Sequence, residues 1–180
     1  MGKVDKATTI LSNEHKNISK VIDAVISECN SLESGKETDK VFFEKTVEFI
    51  QNYADKFHHA KEENILFVEL HKDGVEMHCD PIPQMLHEHD LGRDFVKGII
   101  KGLNESNKDK IIENAKGYTS LIKEHIFKED NILYPMADEA LNEQSQESVL
   151  AKFIEEEKLF AEGHKDICFS IVKEFENKPA

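Results

Sequence analysis

The sequence predicts an all-α protein: a single domain over residues 1–180, built as an up-down-up-down four-helix bundle with an additional C-terminal helix. Two observations carry this prediction. First, β-branched residues recur at helical rather than alternating spacing, so strands are not expected. Second, short breaks separate long amphipathic segments, and short connections between long helices favour antiparallel neighbours. We find no internal sequence repeat.

The first two helices have recognisable ends. Helix one is expected over about residues 5–32, because Gly35 can adopt the left-handed conformation that ends a helix. Thr38 or Asp39 is suited to cap helix two, since a short oxygen-bearing side chain can accept a hydrogen bond from a free backbone amide. Helix two is expected to continue to about residue 71.

The remaining helices are delimited by proline and by a short polar turn. Pro81 is suited to the start of helix three, which reaches about Leu103. Helix four then runs to the end of the bundle with an expected kink at Pro135, because proline removes a helical hydrogen bond. The bundle therefore spans about residues 5–141, and the additional helix packs outside it over about 143–176.

Composition excludes several classes of partner. Lys and Arg number 23 against 36 Asp and Glu, a formal net charge of -13 that argues against nucleic acid and anionic membranes. The three cysteines form no CxxC pair, which argues against a disulfide framework or a thiolate zinc site. No apolar run approaches the length of a membrane helix. We therefore expect a cytoplasmic protein, with its oligomeric state left open.

The histidines carry the functional signal. There are nine, and with about 100° per residue around a helix each bundle helix directs one of them toward the predicted core. These four are His15, His58, His89 and His125. Glu62 and Glu129 follow one turn after a histidine on the same helix face, whereas His59 and Asp130 are rotated away from it.

These four histidines are also expected at one depth in the bundle. Counted from the turns between helices, their positions agree to within roughly 9 Å at 1.5 Å rise per residue. A buried group of imidazoles with Glu62 and Glu129 would be costly without partners, and a bound metal removes that cost. The donors exceed the four of a closed zinc site, and two iron ions bridged by the two glutamates would use all of them.

The motifs resemble the hemerythrin-like (HHE cation-binding) domain family, in its bacterial single-domain type. The resemblance rests on Glu14-His15, on HHAKEENILF at 58–67, on EHDLGR at 88–93 and on HIFKEDNILYPM at 125–136. It implies a bundle around a non-haem di-iron centre with an oxo or hydroxo bridge. The implied ligands are the four inward histidines with Glu62 and Glu129.

Two departures from the oxygen-carrying members leave the ligand set open. Those proteins have a further histidine where this chain has Arg93. Either His59 supplies the missing nitrogen, or that position stays open. Carriers also space the last carboxylate five residues after the last histidine, which would select Asp130, whereas helix phase favours Glu129. Arg93 is expected either in a rim ion pair or as a group that steadies a bridging carboxylate or an anionic oxygen ligand.

Three functions are compatible with such a site. The first is a di-iron protein that binds O₂ or a related small oxidant, such as peroxide or nitric oxide, for storage, sensing or detoxification. The second is a peroxidase-like or catalase-like enzyme acting on hydrogen peroxide. The third is an iron-responsive interaction module.

Overall fold

A computed structural model describes residues 6–72 and 74–177, and these residues form helices with no strand among them. The first helix, α1, spans Ala7–Glu33. The expected start near residue 5 lies outside the described residues. Gly35 has a φ of 104°, and its amide donates to the Leu32 carbonyl, which ends the helix as the sequence predicted.

The second helix, α2, covers residues 40–70 and is capped by Asp39, whose carboxylate accepts from the Phe42 amide. It is continuous but changes its hydrogen bonding along its length. The stretches Ile50–His59 and Glu62–Leu66 are π-helical, between the α-helical Lys40–Phe49 and Phe67–Leu70. A π-helix bonds each residue to the fifth one along, so its turns hold more residues and each residue advances less around the axis.

The third helix, α3, spans Ile82–Asn104 and begins after Pro81. The fourth, α4, covers residues 108–140 and consists of Lys108–Lys128, a π-helical stretch Glu129–Leu133, and Tyr134–Ala140. The sequence predicted a kink at Pro135, and the hydrogen bonding changes directly before that proline. Helices α3 and α4 pack closely at Gly102, because this residue has no side chain. A Cβ there would lie only 3.0 Å from the backbone nitrogen of Ile111.

The C-terminal region is helical, as predicted, but it is divided into α5 (Glu143–Gly163) and α6 (Lys165–Glu176). The break is at His164, which is exposed. Phe153 of α5 and Phe175 of α6 are buried against the bundle. Among the described residues, no helix is long and apolar enough to cross a membrane.

Two apolar clusters fill the interior, and the polar layer lies between them. On α1, Leu11 belongs to one cluster and Ile18 to the other, and His15 lies between them. On α3, Met85 and Val96 flank His89 in the same way. The predicted four-helix bundle with helical C-terminal addition is therefore confirmed, and its core is interrupted by one buried polar layer.

Candidate metal centre

The structure brings all seven predicted site residues together in the polar layer. Each is buried, with at most 6% of its surface exposed. They form two overlapping groups whose donor atoms lie within 4.8 Å of one another. The His15 half-site contains His15 and His58, the His89 half-site contains His59, His89 and His125, and Glu62 belongs to both groups.

The four inward imidazoles are oriented in the same way. Each turns its Nδ1 toward a carboxylate: His15 toward Asp130 at 3.1 Å, His58 toward Glu14 at 3.0 Å, His89 toward Glu63 at 2.7 Å, and His125 toward Glu88 at 2.9 Å. A carboxylate only accepts hydrogen bonds, so each Nδ1 is the protonated donor. When these rings are neutral, each Nε2 therefore carries a lone pair, which is the form that binds a metal.

These lone pairs point at one another. The Nε2 atoms of His15 and His58 are 3.0 Å apart, and those of His89 and His125 are also 3.0 Å apart. Two neutral imidazoles that face each other through lone pairs at this distance repel, and either a metal ion or a proton between them removes the repulsion. Ligands at right angles around a metal with about 2.1 Å bonds are separated by about 3.0 Å. Both pairs therefore have the spacing of neighbouring ligands on one metal ion.

Two carboxylates lie between the half-sites. Glu62 Oε2 is 3.7 Å from His58 Nε2 and 3.5 Å from His89 Nε2. Glu129 Oε2 is 3.2 Å from His15 Nε2, and its Oε1 is 3.1 Å from His125 Nε2. Glu62 Oε2 and both Glu129 oxygens have no hydrogen-bond partner within the described part of the chain. Orphaned buried oxygens between two imidazole pairs fit carboxylates that bridge two cations.

Glu129 and Asp130 have different places in this arrangement. Glu129 is fully buried in the layer, whereas Asp130 is half-buried and accepts hydrogen bonds from His15 and from Ser12 at 2.6 Å. Asp130 thus orients the His15 imidazole through its Nδ1, on the side of the ring opposite Nε2. Glu129 is therefore the carboxylate that lies among the Nε2 atoms, and Asp130 lies outside them.

His59 lies in the layer, although regular helix phase rotates it away. Its ring stacks on His89 with 3.8 Å between ring centroids, and its Nδ1 lies 3.5 Å from Asp55. The residues leading to it are π-helical, so His58 and His59 both face the interior. The 100° per residue of a regular α-helix therefore does not predict the inward position of His59.

Of the two alternatives for Arg93, the structure shows the ion pair at the rim, because its described partners do not include Glu62 or Glu129. Its guanidinium donates to Asp55 at 2.9 Å, Glu63 at 2.7 Å and Asp90 at 2.9 Å. Since Glu63 also accepts from His89, Arg93 acts on the half-site through that carboxylate. The buried hydroxyl of Tyr118 has no hydrogen-bond partner among the described residues.

The layer has an internal pseudo-two-fold symmetry that sequence reasoning missed. The segment HHAKEENIL at 58–66 recurs as HIFKEDNIL at 125–133, and Glu14-His15 recurs as Glu88-His89. The contacts recur as well, because Lys61 donates to the Glu14 carboxylate and Lys128 to that of Glu88. The statement that the chain has no internal repeat is therefore wrong, and comparing the two KE(E/D)NIL segments would have revealed the repeat.

The fold and this layer are those of a helical bundle protein whose buried side chains could hold metal ions. The family model described as Hemerythrin HHE cation binding domain matches residues 6–137. The chain belongs to this family. No curated protein and no solved structure matches it. The matched region ends within α4, so α5 and α6 lie beyond it.

Without metal, protons are expected to occupy the layer and to make stability depend on pH. Burial lowers the pKa of His15, but the hydrogen bond to Asp130 and the negative charge of the neighbouring Glu129 outweigh it and raise the pKa to about 9. Burial likewise opposes the charge on His125, but Glu129 and Glu88 raise its pKa to about 10. When the pKa of a histidine is higher in the folded state than its unfolded value of about 6.5, its protonation stabilises the fold. This stabilisation is fully present below pH of about 6.5 and is lost as the pH rises through the folded-state pKa.

We therefore expect the metal-free protein to lose stability between pH 7 and 9, by up to about 2.7 kcal/mol per pH unit if both imidazoles contribute. Urea unfolding midpoints across this range measure the effect. The double variant His15→Gln with His125→Gln serves as the control and should show a much flatter pH profile. A stability that stays constant or rises from pH 7 to 9 would contradict protonation of these two residues.

Proposed function

We propose that the chain is a non-haem di-iron protein that binds O₂ or a related small oxidant, such as peroxide or nitric oxide, for storage, sensing or detoxification. The observation that carries the proposal is the paired arrangement of four Nε2 lone pairs around two shared carboxylates. Two cations would satisfy every one of these donors, while a single ion would leave one imidazole pair facing itself at 3.0 Å.

Iron is the metal that this set of donors favours. Imidazole and carboxylate are ligands that iron accepts readily, and the absence of thiolates from these two clusters argues against a closed structural zinc site. Five imidazoles and two carboxylates would also leave two six-coordinate ions short of donors. The residues His15, His58, His59, Glu62, His89, His125 and Glu129 would hold the ions. When bound, the iron pair supplies the electrons and the vacant positions that take up a small oxidant.

A route for such a ligand supports the proposal. A cavity of about 250 Å³ lies against His59 and His89 and extends along α2, α3 and α4 past Gly92, Arg93 and Tyr118. An apolar cavity of 150 Å³ holds benzene, so this volume exceeds the needs of a diatomic molecule or peroxide. The three carboxylates that bind Arg93 hold its charge at the edge of this cavity.

The test combines metal analysis with ligand binding. Protein purified from iron-replete cells is expected to contain two iron ions per chain, and the reduced protein, prepared anaerobically, is expected to change its visible spectrum when O₂ or nitric oxide is added. His89→Ala and His15→Ala should each lower the iron content. His87→Ala is the matched control, because His87 is exposed on the same helix as His89.

Two results would reject the proposal. Wild-type protein without iron, or an iron content that is equal in His87→Ala and His89→Ala, would reject the metal centre proposed for this layer. Iron-loaded protein that reacts with neither O₂, peroxide nor nitric oxide would leave the metal but reject the oxidant. Rapid turnover of hydrogen peroxide would instead favour the enzymatic alternative.

A further inference from the structure

Tyr134 places a phenol oxygen inside the polar layer. The residue follows the π-helical stretch Glu129–Leu133 and is only 2% exposed. Its ring lies nearly parallel to that of His15, with 5.6 Å between centroids. Its hydroxyl is 2.6 Å from Glu62 Oε1 and 3.4 Å from His15 Nε2. The oxygen therefore neighbours two donors of the His15 half-site.

The Tyr134 hydroxyl donates a hydrogen bond to Glu62, and its oxygen also lies in the range of distances that separates neighbouring metal ligands. Neighbouring donors on one first-row metal ion lie about 3.0 Å apart, and the His15 and His58 nitrogens show this separation. The Tyr134 oxygen lies at 2.6 and 3.4 Å from its two neighbours, which brackets the same value. It lies where a further donor of this half-site would lie.

The pseudo-two-fold symmetry shows that this oxygen is particular to one half-site. The symmetry partner of Tyr134 is Phe67, which stacks on His89 with 6.2 Å between centroids but carries no oxygen. Conversely, the partner of His59 is Ile126, which has no donor atom. Each half-site thus gains one donor that the other lacks: an imidazole beside His89 and a phenol beside His15.

We propose that Tyr134 is a further metal ligand, which binds the ion of the His15 half-site through its phenolate oxygen. This inference rests on the proposed function, since it requires an ion at that position. Coordination displaces the hydroxyl proton to solvent, as metal binding does for other acidic ligands. A hard anionic oxygen favours the ferric ion, while the third imidazole at the other half-site is neutral, so the two irons are chemically different.

The test uses the ferric protein and a signal that only a coordinated tyrosine produces. Ferric wild-type protein with two ions per chain is expected to show a phenolate-to-iron charge-transfer band in the visible, and excitation in that band should enhance tyrosinate ring vibrations in the Raman spectrum. Tyr134→Phe should lose both signals. The chain has three tyrosines, so the double variant Tyr53→Phe with Tyr118→Phe is the matched control and should retain both.

The outcomes separate this inference from the function on which it rests. Two bound irons without a tyrosinate signal would overturn the inference, leave Tyr134 as a hydrogen-bond donor to Glu62, and leave the di-iron proposal intact. A signal that persists in Tyr134→Phe would also overturn it. Wild-type protein that binds no iron would reject the di-iron proposal itself, and the inference with it. If Tyr134→Phe does not fold, the double control variant decides, because loss of its signal excludes Tyr134.

Discussion

Lys61→Met is expected to destabilise the protein by about 3–5 kcal/mol, because it leaves the buried Glu14 carboxylate without its cation. Lys61 is completely buried, binds Glu14, and lies with its Nζ 3.7 Å from the centre of the Phe57 ring and 5.5 Å from that of Phe153 in α5. For a chain of this size the melting temperature should fall by roughly 6–20 °C. Thermal and urea unfolding measure the loss.

The pseudo-symmetric position supplies the control for this prediction. Lys128 binds Glu88 in the same way, but 34% of its side chain is exposed, so water can replace it. Glu88 is buried as Glu14 is, but it keeps its hydrogen bonds to Gln84 and His125, so Lys128→Met should cost less than Lys61→Met. A double variant, Glu14→Gln with Lys61→Met, should recover most of the lost stability because it removes both buried charges. Equal effects of the two lysine variants would show that burial by α5 does not distinguish them.

Replacing Glu62 or Glu129 by glutamine is expected to abolish binding of at least one iron ion per chain. Each of these carboxylates contacts imidazoles of both half-sites, so its loss removes a donor from two ions at once. The neighbouring variants Glu63→Gln and Asp130→Asn alter only groups that orient an imidazole, and should weaken metal binding by about 10–100-fold.

Iron content per chain and competition titrations with a chelator measure both effects. The pairs Glu62 with Glu63 and Glu129 with Asp130 are adjacent in sequence, so each ligand candidate is compared with its own neighbour. A stronger loss of iron in Asp130→Asn than in Glu129→Gln would instead identify Asp130 as the ligand, at the spacing found in the oxygen carriers.

Where the chain is regularly α-helical, the sequence was sufficient. His15 and His89 lie in uninterrupted helices, and their inward direction follows from about 100° per residue. Gly35 and Asp39 end and begin helices for local reasons that do not depend on packing. Glu129 could be preferred to Asp130 because the helix leading to it is α-helical up to Lys128.

Features that depend on packing could not be read in this way. The inward position of His59 depends on a π-helical stretch that neither its composition nor its periodicity reveals. The partners of Arg93 come from α2 as well as α3, so helix phase alone could not choose between them. Tyr134 was overlooked because a buried tyrosine on an apolar face usually serves packing, and only its distances to Glu62 and His15 distinguish it.

The repeat relating the two helical pairs has a consequence for how such a site can evolve. A symmetric dimer of one helical hairpin would have to carry the same residue at both equivalent positions. Joined in one chain, the two copies can diverge separately, and they have done so at His59 against Ile126 and at Tyr134 against Phe67. Covalent linkage thus permits the two halves of the polar layer to present different side chains, which a duplicated but identical pair could not do.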